Sequence, residues 1–185
     1  MTFEAIFAPS MALIVEVETD NKIRALQDVR EILKDWGAVQ SSTKFLFSRM
    51  GRVVFAKGEG GLDADSIMDD AIEAGAEDIR TDANGNIIIW TQPSLTSQVC
   101  EQLGGKLGLQ VKSSDIIWSP NKETEAPIDP SANIFYFTRL LESLRDHPEV
   151  QAIYANVSKG GASDEDWAKI EDSLDACIDA QTDSL

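Results

Sequence analysis

Ala76-Glu77-Asp78-Ile79-Arg80-Thr81-Asp82-Ala83-Asn84-Gly85-Asn86-Ile87-Ile88-Ile89-Trp90-Thr91 is the stretch on which the fold turns. Two strand-like runs, Asp78 to Thr81 and Ile87 to Thr91, flank an Asn-Gly step. Asn and Gly accept the positive φ angles of a tight antiparallel reversal, so the segment predicts a β-hairpin. Upstream, Gly75 stops a helix carrying Ile67, Met68, Ala71 and Ile72, which Asp63 or Asp65 can cap. A glycine-rich loop, Lys57 to Gly61, separates that helix from a strand at Arg52 to Ala56. Downstream, Ser94 caps a helix with Leu95, Val99 and Leu103 inward and Gly104-Gly105 at its end; Leu109 to Trp118 then reads as a strand. Residues 52–118 therefore spell β-α-β-β-α-β, the order of a ferredoxin-like unit, with two helices on one face of an antiparallel sheet.

The flanks complete a second unit. Ala12 to Val17 is an apolar run broken only by Glu16, short and β-branched, and reads as a buried strand. Thr19-Asp20-Asn21 can cap a helix whose apolar face is Ile23, Leu26, Val29, Leu33 and Trp36, stopped by Gly37. Lys44 to Ser48 is strand-like and joins the next strand through Met50-Gly51, read as a tight connection. Ser119 to Pro130, with three prolines, reads as a linker. Ser131 opens a helix with Ile134, Phe137, Leu140, Leu141 and Leu144 on one side, and Val150 to Tyr154 is a strand. The strand-helix-strand of 12–48 lacks a closing helix and strand, and 131–155 supplies both. Strand 12–17 should therefore share a sheet with strand 150–154. After Gly160-Gly161, Ser163-Asp164-Glu165-Asp166 is a capping box, followed by a stripe of Trp167, Ile170, Leu174, Cys177 and Ile178. The expected class is α+β: residues 1–50 and 119–157 form one discontinuous ferredoxin-like module, 51–118 form a second inserted in it, and 158–185 form an acidic C-terminal tail with an amphipathic helix.

Charge narrows the function classes. The chain of 185 residues carries a formal net charge of −16. Residues 1–57 hold eight bases and seven acids, whereas residues 58–185 hold eight bases and 25 acids. Nucleic-acid affinity comes mainly from neutralised phosphates, so sequence-specific DNA binding is not expected and any RNA contact must use the first third. Arg49, Arg52 and Lys57 are the candidate RNA contacts. Cys100 and Cys177 form no C-x-x-C pair and read as free thiols. His147, the one histidine, has no nucleophile or orienting acid near it in sequence. Asp63, Asp65, Asp69 and Asp70 miss the glycine and glutamate positions of a calcium loop and read instead as acids favouring a helix N-terminus. No cofactor, metal site, catalytic constellation or membrane span is expected.

Several collinear stretches resemble the YebC family, whose mitochondrial members include the translational activator of cytochrome c oxidase subunit I. They are Ala12 to Val17 with Thr19-Asp20-Asn21-Lys22, then Asp28-Val29-Arg30, Phe45-Leu46-Phe47 and Gly51-Arg52-Val53-Val54-Phe55. Ala71-Ile72-Glu73-Ala74-Gly75-Ala76-Glu77-Asp78-Ile79 is similar to the family's A-L-E-A-G-A-E-D-V, and Glu149 to Asn156 is similar to its closing D-V-Q-x-V-Y-H-N. The resemblance covers about residues 3–156. It implies two ferredoxin-like modules and a non-catalytic, ribosome-associated role in activating translation, in mitochondria or otherwise in the cytoplasm. The ribosome or its RNA would be reached through the family's basic N-terminal helical domain more than through this chain, which on this reading starts at that domain's boundary. The family's glycine-rich Y-E-G-Y-G-P-G-G aligns with Phe3 to Ser10, where all four glycines are replaced. A DNA-binding transcriptional regulator and a small-molecule-sensing ferredoxin-like pair are the alternatives.

Overall fold

The computed structural model describes residues 1–130 and 134–177. Ser131 and Ile178 lie outside them. The chain divides into two compact units, residues 1–48 with 118–185 and residues 49–117. The architecture is α+β, with antiparallel four-stranded sheets.

The first unit contains β1 (Thr2–Phe7), β2 (Met11–Val17), α1 (Lys22–Asp35) and β3 (Ala38–Gln40). After the second unit it resumes through α4 (Ile134–Asp146) and β9 (Val150–Ala155). Its sheet order is β3-β1-β2-β9. The pairing expected across the chain is present, with Val15 opposite Ile153 and Leu13 opposite Ala155. Two elements were not legible beforehand. Phe3, Ala5 and Phe7 alternate into the core, which makes Thr2–Phe7 a strand where the sequence reading placed no element. It occupies the place that the third strand takes in a ferredoxin-like sheet, so this unit is a permuted version of the fold. The second strand of the unit is Ala38–Gln40, whereas Lys44–Leu46 is a 3-10 turn. Glu4 holds that turn against β1 by accepting hydrogen bonds from the Thr43 and Lys44 amides at 2.8 and 3.0 Å.

Helix α1 is capped by Asn21, whose side chain accepts from the Arg24 amide. It buries Ala25, Val29 and Leu33, with Leu26 and Trp36 partly buried. Ile23 is exposed, because it lies on the face of α1 opposite Ala25, Val29 and Leu33. Helix α4 buries Phe137, Leu140, Leu141 and Leu144. Phe137 meets Phe7 at a centroid distance of 5.3 Å. Burying each such side chain contributes about 1.5–3 kcal/mol. The segment expected to be a linker is ordered by pairing: β8 (Ala126–Pro127) runs parallel to β10 (Val157–Ser158), and Ile128 is buried. Helix α5 (Asp164–Ser173) is capped by Ser163 and buries Trp167 and Ile170 in this core. The apolar stripe predicted a longer helix, but Leu174 is already extended. Glu171 and Asp172 place negative charge at the helix C-terminus, where the dipole disfavours it, and the edge of β9 offers the chain alternative backbone partners.

The second unit is built from α2 (Met68–Ala74), β5 (Ala76–Thr81), β6 (Ile87–Thr91), α3 (Thr96–Leu107) and all but the outer ends of β4 (Phe47–Phe55) and β7 (Val111–Pro120). The order β5-β6-β4-β7 is that of a ferredoxin-like sheet. The hairpin is locked by Asp82, whose carboxylate accepts from the Asn84 and Asn86 amides and from the Asn86 side chain. Gly85 supplies the positive φ of 82°. Val53, Phe55, Ile87 and Ile89 face Ile67, Ala71, Ala74, Val99 and Leu103 across one core. Met68 and Ile72 lie on the exposed side of α2. Helix α3 continues through Gly104-Gly105 and ends at Gly108, which takes the left-handed conformation at φ 64°.

Met50-Gly51 is not a connection. It lies inside β4, which runs unbroken from Phe47 to Phe55. What Gly51 supplies is space, since a Cβ there would sit 2.0 Å from Thr96 Oγ1 and 3.2 Å from Thr91 Cγ2. Gly51→Ala should therefore destabilise the fold by about 1–3 kcal/mol through overpacking. Urea unfolding with an unshifted midpoint would contradict this.

Burial pushes the Glu4 carboxyl up, but the Lys44 and Thr43 amides and the Lys44 ammonium outweigh it and hold the group below its usual 4.5. A depressed folded pKa contributes stability above the unfolded value and loses it as pH falls through the folded one. Glu4→Gln should cost roughly 1 kcal/mol at pH 7, and the gap to the parent should close below pH 4.5. Chemical denaturation at a series of pH values measures it.

Candidate nucleic-acid interface

Strand parity sorts the sheet of the second unit into two faces. Ile87, Ile89 and Thr91 of β6 point toward the helices, so Ile88 and Trp90 point away from them. The register then builds the outer face. Arg52 and Asp78 flank Trp90 on the neighbouring strands, and Val54 and Arg80 flank Ile88. The Arg80 guanidinium lies over the Trp90 ring, 5.2 Å from its centroid. Asp78 holds it there through contacts of 3.0 and 3.1 Å. The arrangement is a cation–aromatic stack with a second guanidinium one strand away, on an antiparallel sheet. Aromatic rings and guanidinium planes are the surfaces on which unpaired bases stack.

Charge is unevenly spread within this unit. It has six bases and eleven acids. Asp69, Asp70, Glu73 and Glu101 lie on α2 and α3, the layer opposite the outer face. An acidic net charge thus coexists with a face that carries Arg52 and Arg80.

The three candidate bases are not brought together. Arg49 and Arg52 have opposite parity on β4, and Lys57 lies beyond its far end. Eight residues of extended chain span at most about 26 Å, and six of them are strand that carries Phe55 well away from Arg49. The stem of Lys57 packs on the hairpin glycine, so that a Cβ on Gly85 would come within 2.8 Å of it. Arg80 and Trp90 were not among the sequence candidates. The acidic count after residue 57 obscured Arg80. The signal that would have found both is the parity of the predicted hairpin, in which Asp78, Arg80, Ile88 and Trp90 share the face opposite Ile87 and Ile89.

Other candidate chemistry resolves into structure. Asp63 accepts from the Ser66 amide, and the backbone and hydroxyl of Ser66 draw its carboxyl below the usual range. Among the described residues no three His, Cys, Asp or Glu side chains gather as metal ligands. His147 accepts from the Glu149 amide through Nδ1 and lies 3.5 Å from Asp28 through Nε2. Cys100 and Cys177 form no disulfide. A groove of about 460 Å³ between α2 and α3 is lined by Asp70, Glu73, Gln102, Leu103 and Lys106. Lys106 meets Asp70 at 2.6 Å and Glu73 at 3.4 Å, which raises its pKa. No helix among the described residues is long and apolar enough to cross a membrane.

Comparison with known proteins gives the lineage. Residues 1–157 match the sequence model of the TACO1/YebC second and third domain. The chain belongs to the TACO1/YebC family. A probable transcriptional regulatory protein of Proteus mirabilis is 32% identical over 166 residues, covering 88% of this chain and 62% of that relative. One from Aeromonas hydrophila is 31% identical over 168 residues, covering 89% and 64%. A conserved hypothetical protein from Aquifex aeolicus, solved by crystallography, superposes with a TM-score of 0.72 at 27% identity, covering 85% of this chain and 63% of that one. The chain thus spans a little under two thirds of the length of these TACO1/YebC relatives. The names of the two curated relatives describe regulatory proteins, not enzymes. The stacked pair lies within the matched region, whereas the segment after residue 157 lies outside it.

Proposed function

We propose that this chain is the body of a non-catalytic, ribosome-associated factor that activates translation, and that it contributes a weak contact to unpaired RNA. The observation that carries the reading is the Arg80–Trp90 stack beside Arg52 on the outer face of the sheet. Such a face suits a splayed base better than a duplex, because stacking needs an open base face whereas a duplex offers mainly phosphate. With a net charge of −16, the chain is poorly suited to holding duplex DNA by phosphate neutralisation. In the longer family members the basic helical domain would supply most of the ribosome affinity, and this body would position a contact. The mitochondrial setting belongs to the same proposal and follows from the resemblance to the mitochondrial activator. The relatives' names favour a second reading, a transcriptional regulator.

Binding of fluorescein-labelled oligonucleotides at low salt separates the two. A single-stranded RNA of about ten nucleotides should bind, and Trp90→Ala should weaken it roughly 5- to 100-fold, the range of one lost stacking contact. Duplex DNA of equal length should bind no tighter than about 10⁻⁵ M at physiological salt. Tight, sequence-dependent duplex binding would overturn the translational reading in favour of the transcriptional one.

Ribosome pelleting provides the second measurement. The chain alone should stay in the supernatant at physiological salt. Its fusion to a TACO1/YebC N-terminal helical domain should pellet and be released as salt rises. Salt-resistant pelleting of the chain alone would contradict the division of labour proposed here.

A further inference from the structure

Strand β9 is at the edge of the first unit's sheet. An edge strand turns half of its backbone donors and acceptors outward, where a further strand can add. Here the outward groups are met by the segment that follows α5. The Asp175 amide donates to the Ile153 carbonyl at 2.8 Å, and the Ala155 amide donates to the Ala176 carbonyl at 3.1 Å. Tyr154 and Ala176 form a parallel bridge. The Asp175 side chain adds a second kind of recognition. Its Oδ2 accepts from the Ile153 amide at 2.8 Å and from the Arg145 guanidinium. Arg145 Nε also donates to the Ser173 carbonyl at 2.9 Å. One carboxylate oxygen is thus gripped by a backbone amide of β9 and by a guanidinium from α4.

These groups belong to two different parts of the chain. Arg145, Ile153 and Ala155 lie within the region that matches the family, which ends at residue 157. The segment that covers them lies outside it. The cover is also held in two grades. Trp167 and Ile170 of α5 are buried at 8% and 0% exposure and anchor the helix in the core. Leu174 to Cys177 are only half-buried and meet β9 through a single ladder step.

We infer that the β9 edge together with Arg145 is a docking site for an extended, aspartate-bearing segment of a partner protein, and that residues 174–177 occupy this site in cis. Backbone pairing sets the direction of the guest strand, parallel to β9. The convergence of the Arg145 guanidinium and the Ile153 amide selects a carboxylate at one position, because an ionised acceptor takes up both donors. A tethered occupant has an effective concentration in the millimolar range, so a partner must displace it.

Asp175→Pro tests this without removing α5. It deletes the carboxylate and the amide that pairs with Ile153, and the extended Leu174 before it accommodates proline. The probe is a synthetic hexapeptide with the sequence of residues 172–177, titrated to millimolar concentration and followed by amide NMR. In Asp175→Pro the Ile153 and Ala155 amides should exchange faster, whereas Ala152 and Tyr154, which face β2, should stay protected. The peptide should shift Ile153 and Ala155 saturably, at least about tenfold more tightly than in the parent chain. An Asn in place of the peptide's second Asp, or Arg145→Gln added to Asp175→Pro, should each weaken binding roughly tenfold or more. Unchanged protection of Ile153 and Ala155 in Asp175→Pro would overturn the inference. So would an opened edge that takes up no peptide, or an Asn peptide that binds equally well.

Discussion

The antiparallel pairing of β2 with β9 is the interaction on which the rest of the first unit depends. Leu13 to Val17 meet Val150 to Ala155 across more than 130 residues. Without it, β1 and β2 form a hairpin with one helix, and α4 has no strand to return to. Loop closure over such a distance costs little more than over half of it, since the entropy grows only with the logarithm of length. The intervening residues 49–117 have a core of their own, so the closure does not have to order a slack loop. Once β9 is placed, α4 brings Phe137 onto Phe7, and α5 can bury Trp167 in the same core.

Strand parity is the second organising constraint, and it is what separates core from surface in the second unit. Alternation sends Val53, Phe55, Ile87 and Ile89 under the helices. The same rule leaves Arg52, Arg80 and Trp90 on the other side. The candidate face is therefore not an addition to the fold. It is the complement of the core, and residues chosen by proximity in sequence, such as Arg49 with Arg52, fall on opposite faces.

The parts that were legible in the sequence are those specified locally. The Asn84-Gly85 reversal, the Asn21 and Ser163 caps and the Gly75 stop each act within a few residues, and each is where the residue pattern puts it. The β2–β9 pairing was legible because the opening segment lacked its complement. The errors came where distant residues decide. Gly51 reads as a turn in isolation, yet it is a strand glycine kept small by Thr96 and Thr91. The Trp167 stripe continues past Ser173 in helical register, but Arg145 and the edge of β9 take over the chain. For the candidate face, Arg52 was identified from its charge. Arg80 and Trp90 were missed because a net count over 58–185 averages across faces that the fold separates.

The three-residue length of β3 has a colloidal meaning. A sheet recruits foreign strands through its borders, and long bare borders are what drive ordered association between molecules. On one side of the first unit the border is β3, too short to offer more than a few pairing groups. On the other, the segment after α5 already lies along β9. With the segment after α5 in place, neither margin of this sheet gives a second molecule a long template, and opening the β9 margin would expose one.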